Sequence, residues 1–221
     1  MLVRIGEILD TASLGAVREA IEDPALFEAG DSTAGPRARR VKINLQARRD
    51  ESAIKGVTRL VEKALWDHDV FKAAAQAKQT ARILISRYET GMGYGPHIDA
   101  PVVDGIRTDL SFTLFLSDPT TYEGGELVID TGSGEEVVKL AAGSVVLYPA
   151  SYLHRVEPVT DGVRLAAVGW IQSYIRAEDR RDLLFDLDTT IARLAETGIE
   201  DGELDELTRI RANLFRMWAD T

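Results

Sequence analysis

With 221 residues, 45% of them apolar and 28% charged, the chain can bury one substantial core with appendages and has a globular composition. Its 26 basic and 36 acidic residues leave a formal charge of −10, which argues against nucleic-acid partners and anionic membranes, since both require basic surface. There is no cysteine, hence no disulfide or thiolate zinc site, and no apolar run approaches membrane length.

Met1 to Glu7 lacks a long apolar signal core, so a cytoplasmic protein is expected. Leu14, Val17 and Ile21 then recur at helical spacing until Pro24 ends the run. Glycine, serine and proline mark a loop from Gly30 to Pro36, and the basic cluster Arg37 to Arg40 reads as solvated surface. Val41, Ile43 and Leu45 alternate with polar residues and predict a strand. Ile54, Val57, Val61, Ala64 and Leu65 write a second helix, with Ser52 as its N-cap, and a shorter helix follows over Val70 to Ala75. His68, between these patterns, is expected to be an exposed or capping residue.

The character changes at Thr80. Short apolar or alternating runs follow, at Ala81 to Tyr88, Leu110 to Leu116, Glu126 to Ile129, Val137 to Leu140, Ser144 to Leu147, Leu153 to Val156 and Arg164 to Tyr174. Glycine-rich turns separate them, and such spacing predicts an antiparallel sandwich or barrel, with a jelly roll as one realisation. Helical spacing returns after Ala177. One stripe runs through Leu183, Leu184, Leu187, Ile191 and Leu194 and closes at Gly198; another runs through Leu204, Leu207, Ile210, Leu214 and Met217. Intramolecular core is the better reading of the last stripe, with a homo-oligomer seam through the C-terminal helices as the alternative. The fold class is therefore mainly β with flanking helices (α+β). Residues 1–175 form a first domain whose jelly-roll core spans 80–175, and 176–221 form a C-terminal helical extension.

The chemistry centres on Tyr94-Gly95-Pro96-His97-Ile98-Asp99-Ala100. In extended backbone His97 and Asp99 project to one side and can grip one ion. His154 lies far downstream in Ser151-Tyr152-Leu153-His154-Arg155-Val156, and two histidines with one carboxylate are the ligand set of non-haem Fe(II) oxygenases. The pair alone is also compatible with a turn histidine and a surface acid, and His154 with a satisfied strand histidine. Arg164 strengthens the metal reading. Pro158 to Gly162 reads as a hairpin loop that sets the strand of Arg164 beside that of His154, where a guanidinium offers a bidentate fork to a carboxylate. A metal site with an anion clamp is what a 2-oxo-acid cosubstrate requires.

From Ile85 to Leu194 the chain resembles the PKHD-type hydroxylases, bacterial relatives of the prolyl 4-hydroxylase branch of Fe(II)/2-oxoglutarate dioxygenases. The stretches that carry the resemblance are RYETGMGYGPHIDAP, RTDLSFTLFLSDPTTYEGGELVID, VKLAAGSVVLYPASYLHRVEPVTDGVRLA and LLFDLDTTIARL, about half the chain. The resemblance implies a double-stranded β-helix core and Fe(2+) on His97, Asp99 and His154. It also implies 2-oxoglutarate with its distal carboxylate on Arg164, and L-ascorbate to return oxidised iron to the ferrous state. Tyr88 matches a position that touches the cosubstrate, although an ordinary strand aromatic is an equal reading. The implied activity is hydroxylation with molecular oxygen and decarboxylation of 2-oxoglutarate to succinate. The alternatives are a cupin-like metal enzyme without 2-oxoglutarate and a non-catalytic binding module on the same barrel. The segments Ala100 to Arg107 and Asp130 to Glu135 are shorter than in that family, and both are expected to border the substrate mouth. The substrate, small-molecule or peptide-like, is not named by the sequence; kinship to prolyl hydroxylases and a family association with iron uptake are weak guides.

Overall fold

Side-chain alternation across long strands decides which residues of this protein enter its interior. The computed structural model describes every residue except Ala34, Pro36, Arg37, Ile199 and Thr221, with the backbone alone at Ser32, Thr33 and Ala38. It opens with β1 (Val3–Ile5), α1 (Thr11–Ala20), β2 (Phe27–Ala29), β3 (Lys42–Ile43) and β4 (Leu45–Ala47). Helices α2 (Ser52–Asp67) and α3 (Asp69–Ala75) lead to the long β5 (Ala77–Glu89), then β6 (Gly93–His97), β7 (Val102–Val103) and β8 (Ile106–Arg107). Next come β9 (Leu110–Phe115), β10 (Tyr122–Gly124), β11 (Leu127–Asp130), β12 (Glu135–Val138) and β13 (Val145–Pro149). β14 (His154–Val156), β15 (Val159–Ser173), α4 (Glu178–Glu196) and α5 (Asp201–Trp218) complete the chain.

Eight strands form one sheet, in the order β1-β13-β9-β15-β5-β4-β2 with β10 also paired to β15, and five form a second, β12-β11-β14-β6-β3. One face of the larger sheet meets the N-terminal helices: Phe112, Leu114, Leu147 and Ala167 pack with Val17, Val61, Leu65 and Phe71. From the opposite face Tyr88, Phe115, Val146 and Tyr148 meet Leu127, Ile129 and Val156 of the smaller sheet. A strand covered on both sides has no face to leave polar, so β9 is buried at every position. Two facing antiparallel sheets with helices outside are the mainly β, α+β jelly roll expected.

Several local expectations change. The Val41–Leu45 strand is split between the sheets, and its alternation runs the other way: Val41 and Ile43 face solvent while Lys42, Asn44 and Gln46 are buried. Helix α2 begins at Ser52, but Glu51 holds the cap position and makes no side-chain capping bond. His68 does sit at the junction of α2 and α3, yet it is half-buried and its side chain does not cap. His97 is the last residue of strand β6, and Pro158 to Gly162 is no hairpin loop, because β15 begins at Val159 and pairs there with β10. Among the basic cluster, Arg37 lies outside the described residues, while Arg39 is exposed and its Nε donates to the Asp31 carbonyl at 3.1 Å.

The C-terminal helices dock by polar contacts as much as by apolar ones. Arg181 of α4 is buried and donates to the carbonyls of Ile175 and Arg176, each at 2.8 Å. Arg211 of α5 bridges Asp188 at 2.7 Å and Gln76 at 2.9 Å. The expected core role of the last stripe holds only in part: no α5 residue is fully buried, and Ile210 and Met217 remain exposed.

Candidate metal and cosubstrate site

His97 ends β6 directly opposite His154 of β14 in the antiparallel register. The close approach of neighbouring chains here depends on small residues: a Cβ at Gly93 would lie 3.0 Å from the Val156 carbonyl oxygen, and one at Gly95 2.8 Å from Val41 Cβ. Asp99 follows just past the strand end, its N–H donating to the Ala150 carbonyl at 3.3 Å. One ligand atom from each of His97, Asp99 and His154 lies within 4.8 Å of the others, and His154 Nε2 is 3.7 Å from Asp99 Oδ2.

The imidazoles are held by the same device. His97 Nδ1 contacts the Gly95 carbonyl and His154 Nδ1 the Tyr152 carbonyl, both at 2.9 Å, and a carbonyl only accepts. Each Nδ1 therefore carries the proton, leaving each Nε2 as a lone-pair donor. Tyr94 stacks on His97 at 3.5 Å between centroids, and Tyr148 meets His154 edge-on at 5.1 Å. Burial, helped by the neighbouring His154, pushes the His97 imidazole from its ordinary 6.5 down to about 4. The ring is thereby kept neutral, as ligation requires.

Arg164 arrives by a different route from the one its spacing implies. β14 belongs to the smaller sheet and β15 to the larger, so His154 and Arg164 converge from opposite walls rather than along a hairpin. Both line a single cavity of about 460 Å³, together with His97, Asp99 and Tyr88. Arg164 is 1% exposed, yet among the described residues Nε, Nη1 and Nη2 all lack a hydrogen-bond partner. Its guanidinium carbon lies 5.2 Å from the Tyr88 ring centre and 5.3 Å from that of Phe115. Gly125, at φ +66°, makes room, since a Cβ there would stand 2.9 Å from Arg164 Cδ. Two neutral nitrogens and a carboxylate fit a first-row divalent cation, and an unpaired buried guanidinium fits a carboxylate fixed in the same cavity.

Two features escape the motif reading. Ser111 of β9 donates its hydroxyl to Asp99 Oδ2 at 2.5 Å and so aims that carboxylate. The alternation of Leu110 to Phe115, with its two hydroxyl residues on one face, carried the signal. Ser111→Ala is expected to lower divalent-metal affinity about tenfold without unfolding the chain, as loss of an outer-shell partner typically does; anaerobic Fe(II) titration measures it. The second is the inward polar row Lys42, Asn44 and Gln46, all lining the cavity. Burial pushes the Lys42 ammonium down from 10.5 to about 8, against the pull of Asp99 and Asp31.

Residues 83–172 match the model of the 2OG-Fe(II) oxygenase superfamily, and residues 178–220 that of the PKHD-type hydroxylase C-terminal domain. PKHD-type hydroxylases of Parvibaculum lavamentivorans and Maricaulis maris are 46% and 44% identical to the chain over 220 residues, covering 100% of both sequences in each case. The chain belongs to the PKHD-type hydroxylases. It is accordingly an oxygenase of the Fe(II) and 2-oxoglutarate class, with molecular oxygen as a further substrate. A prolyl-4-hydroxylase of Pseudomonas putida superposes with TM-score 0.56 at 16% identity, over 78% of this chain and 92% of that one. A Trichoplax adhaerens prolyl hydroxylase superposes with TM-score 0.59 at 19% identity, over 82% and 86%. At these identities the likeness is one of fold, and it agrees with the double-stranded β-helix core. No helix among the described residues is long and apolar enough to cross a membrane.

Proposed function

We propose that this PKHD-type hydroxylase couples decarboxylation of 2-oxoglutarate to succinate with hydroxylation of a small-molecule or peptide-like substrate. In this reading His97, Asp99 and His154 hold Fe(II), and Arg164 holds the distal carboxylate of 2-oxoglutarate. The observation that carries it is the buried, unpartnered Arg164 guanidinium in the cavity of the His-Asp-His cluster. A cation so placed calls for an anion, and 2-oxoglutarate has one carboxylate to spare after chelating a metal with its other end.

When bound, iron and 2-oxoglutarate supply the oxidising chemistry; the chain supplies ligands, orientation and a dry site. His97 and His154 offer Nε2 because their Nδ1 protons are committed to carbonyls. Ser111 fixes the Asp99 carboxylate, Tyr88 flanks the cosubstrate beside Arg164, and Tyr94 and Tyr148 wall the imidazoles from water. L-ascorbate serves to keep the iron ferrous. The catalytic domain comprises 1–175 and the helical extension 176–221, whose exposed Ile210 and Met217 are a candidate homo-oligomer seam. A cytoplasmic location completes the reading.

Anaerobic addition of Fe(II) and 2-oxoglutarate is expected to produce a weak visible charge-transfer band, and admission of oxygen to yield succinate. Folded, iron-loaded protein that gave neither would refute the assignment.

A further inference from the structure

The hairpin that follows Asp99 is written by its own turn. β7 and β8 pair Val102 with Arg107 and Val103 with Ile106, joined by Asp104-Gly105 alone. Both turn residues have positive φ, +52° and +79°, as a two-residue hairpin turn requires, and Asp-Gly is a pair that adopts it readily. Val103 lines the cavity while Val102 is 55% exposed, so the hairpin walls the cavity on one face and meets water on the other.

What holds the hairpin tip is a carboxylate on an arginine. Arg82 of β5 donates from Nε to Asp104 Oδ2 at 2.8 Å and from Nη2 to Oδ1. Arg49, in the loop before α2 and 57% exposed, stands 3.9 Å from the same Oδ2. Arg82 belongs to the cavity. It lines it, and on the inner face of the larger sheet it lies across from Trp170, which lies across from Ser111, the residue that holds Asp99. Two strand spacings, roughly 10 Å, separate its backbone from that of Ser111. Its side chain is 21% exposed, so its guanidinium, unlike that of Arg164, can exchange partners with what enters the cavity. An ion pair so open to water is weakly held. The metal cluster and the Arg164 clamp leave this cation without a task.

We propose that Arg82 recognises a carboxylate on the organic substrate, and that Asp104 occupies this seat until that carboxylate displaces it. The resident carboxylate shows what the seat takes: one planar anion, held by two parallel N–H donors of the guanidinium fork. Arg49 gives Asp104 a second partner on the outer side, so the hairpin tip can leave Arg82 without stranding its charge. The substrate is thereby an anion, and the hairpin a gate that yields to it. The inference rests on reading the cavity as a hydroxylase site, and it names the substrate chemistry of that site.

The test uses ¹⁵N-labelled protein loaded with Zn(II), a diamagnetic stand-in for Fe(II), and saturating 2-oxoglutarate. It is titrated with sodium acetate at constant ionic strength, chloride making up the difference, and separately with acetamide, an uncharged analogue of the same shape. The Arg82 Nε–H signal, identified by its loss in Arg82→Gln, is expected to shift with acetate and not with acetamide. Asp104→Asn should bind acetate about fivefold more tightly than the wild type, because the resident competitor is gone; that is the most an exposed ion pair is usually worth. Asn-Gly keeps the same turn, so the hairpin stays folded. A third titrant, N-acetylaspartate N-methylamide, separates the sources of the carboxylate: tighter binding than acetate names a peptide side chain, equal or weaker binding a small free acid. Were Asp104 only a strut, Asp104→Asn would bind acetate no better than the wild type, and that outcome overturns the proposal. So does an equal response to acetamide. If the Zn(II)-loaded wild type failed to bind 2-oxoglutarate at all, the hydroxylase reading would fall, and the substrate role of Arg82 with it, whatever acetate did.

Discussion

Arg164→Met is expected to weaken 2-oxoglutarate binding about a hundredfold and, in the ligand-free protein, to raise the melting temperature. Both signs have one cause. The guanidinium is 1% exposed and, among the described residues, none of its nitrogens has a hydrogen-bond partner, so the fold carries a desolvated cation set between the rings of Tyr88 and Phe115 and near the Tyr122 hydroxyl. Cation–π attraction recovers only part of that cost. Methionine has similar reach and no charge, so the empty fold should gain about 1 to 3 kcal/mol, roughly 2–4 °C for each. With 2-oxoglutarate present the balance reverses, because a charge-assisted pair in a water-poor cavity contributes about 3 kcal/mol, close to a hundredfold in affinity. Arg164→Lys keeps the charge but loses the planar fork, and should fall between. Calorimetric titration and thermal melts with and without cosubstrate read both effects. Unchanged affinity would remove Arg164 from the clamp; a lower melting point of the empty variant would mean that the ring contacts outweigh desolvation.

What was legible in advance followed from local rules. Period-two spacing put His97 and Asp99 on one side of extended backbone, and apolar runs between turn residues announced the sheets that bring His154 to them. The helical stripe of α2 was equally open to reading, since 3.6-residue periodicity reports a buried face; in α4 the stripe is only partly covered, with Leu184 buried and Leu183 exposed. The failures arose where tertiary pairing overrules local pattern. Ten residues between His154 and Arg164 with a proline and a glycine between them look like a hairpin, but β14 pairs with β6 and β11, and β15 with β5, β9 and β10. The arginine still reaches the cavity, because in a jelly roll the two sheets face each other. Val41 and Ile43 misled for a related reason, whereas Leu45 packs against the core. Alternation reports that a strand has two unlike faces, not which one looks inward, and beside a ligand cavity the polar face does. Ser111 alternates with Thr113 in Leu110 to Phe115, a pattern that marks one face as polar but not its use, which only the bond to Asp99 reveals.

Asp99→Ala should abolish the stabilisation that metal confers. In the wild type, Mn(II) or anaerobic Fe(II) at a hundredfold excess over its dissociation constant adds about 2.7 kcal/mol through mass action. For a chain of this length that is roughly 5–10 °C in melting temperature. Asp99 supplies the only carboxylate among the three clustered groups, and that negative charge offsets the dication in a site where the other two donors are neutral imidazoles. Loss of it leaves His97 and His154, whose Nε2 atoms alone hold a divalent ion too weakly to shift the melt. Asp99→Asn separates charge from shape: the Ser111 hydroxyl can still donate to the amide oxygen, so the local structure persists while the anionic ligand is gone. A melt that rose with metal as much in Asp99→Ala as in the wild type would place the ion elsewhere. A rise in Asp99→Asn but not in Asp99→Ala would show that an oxygen donor held by Ser111, rather than its charge, is what the ion needs.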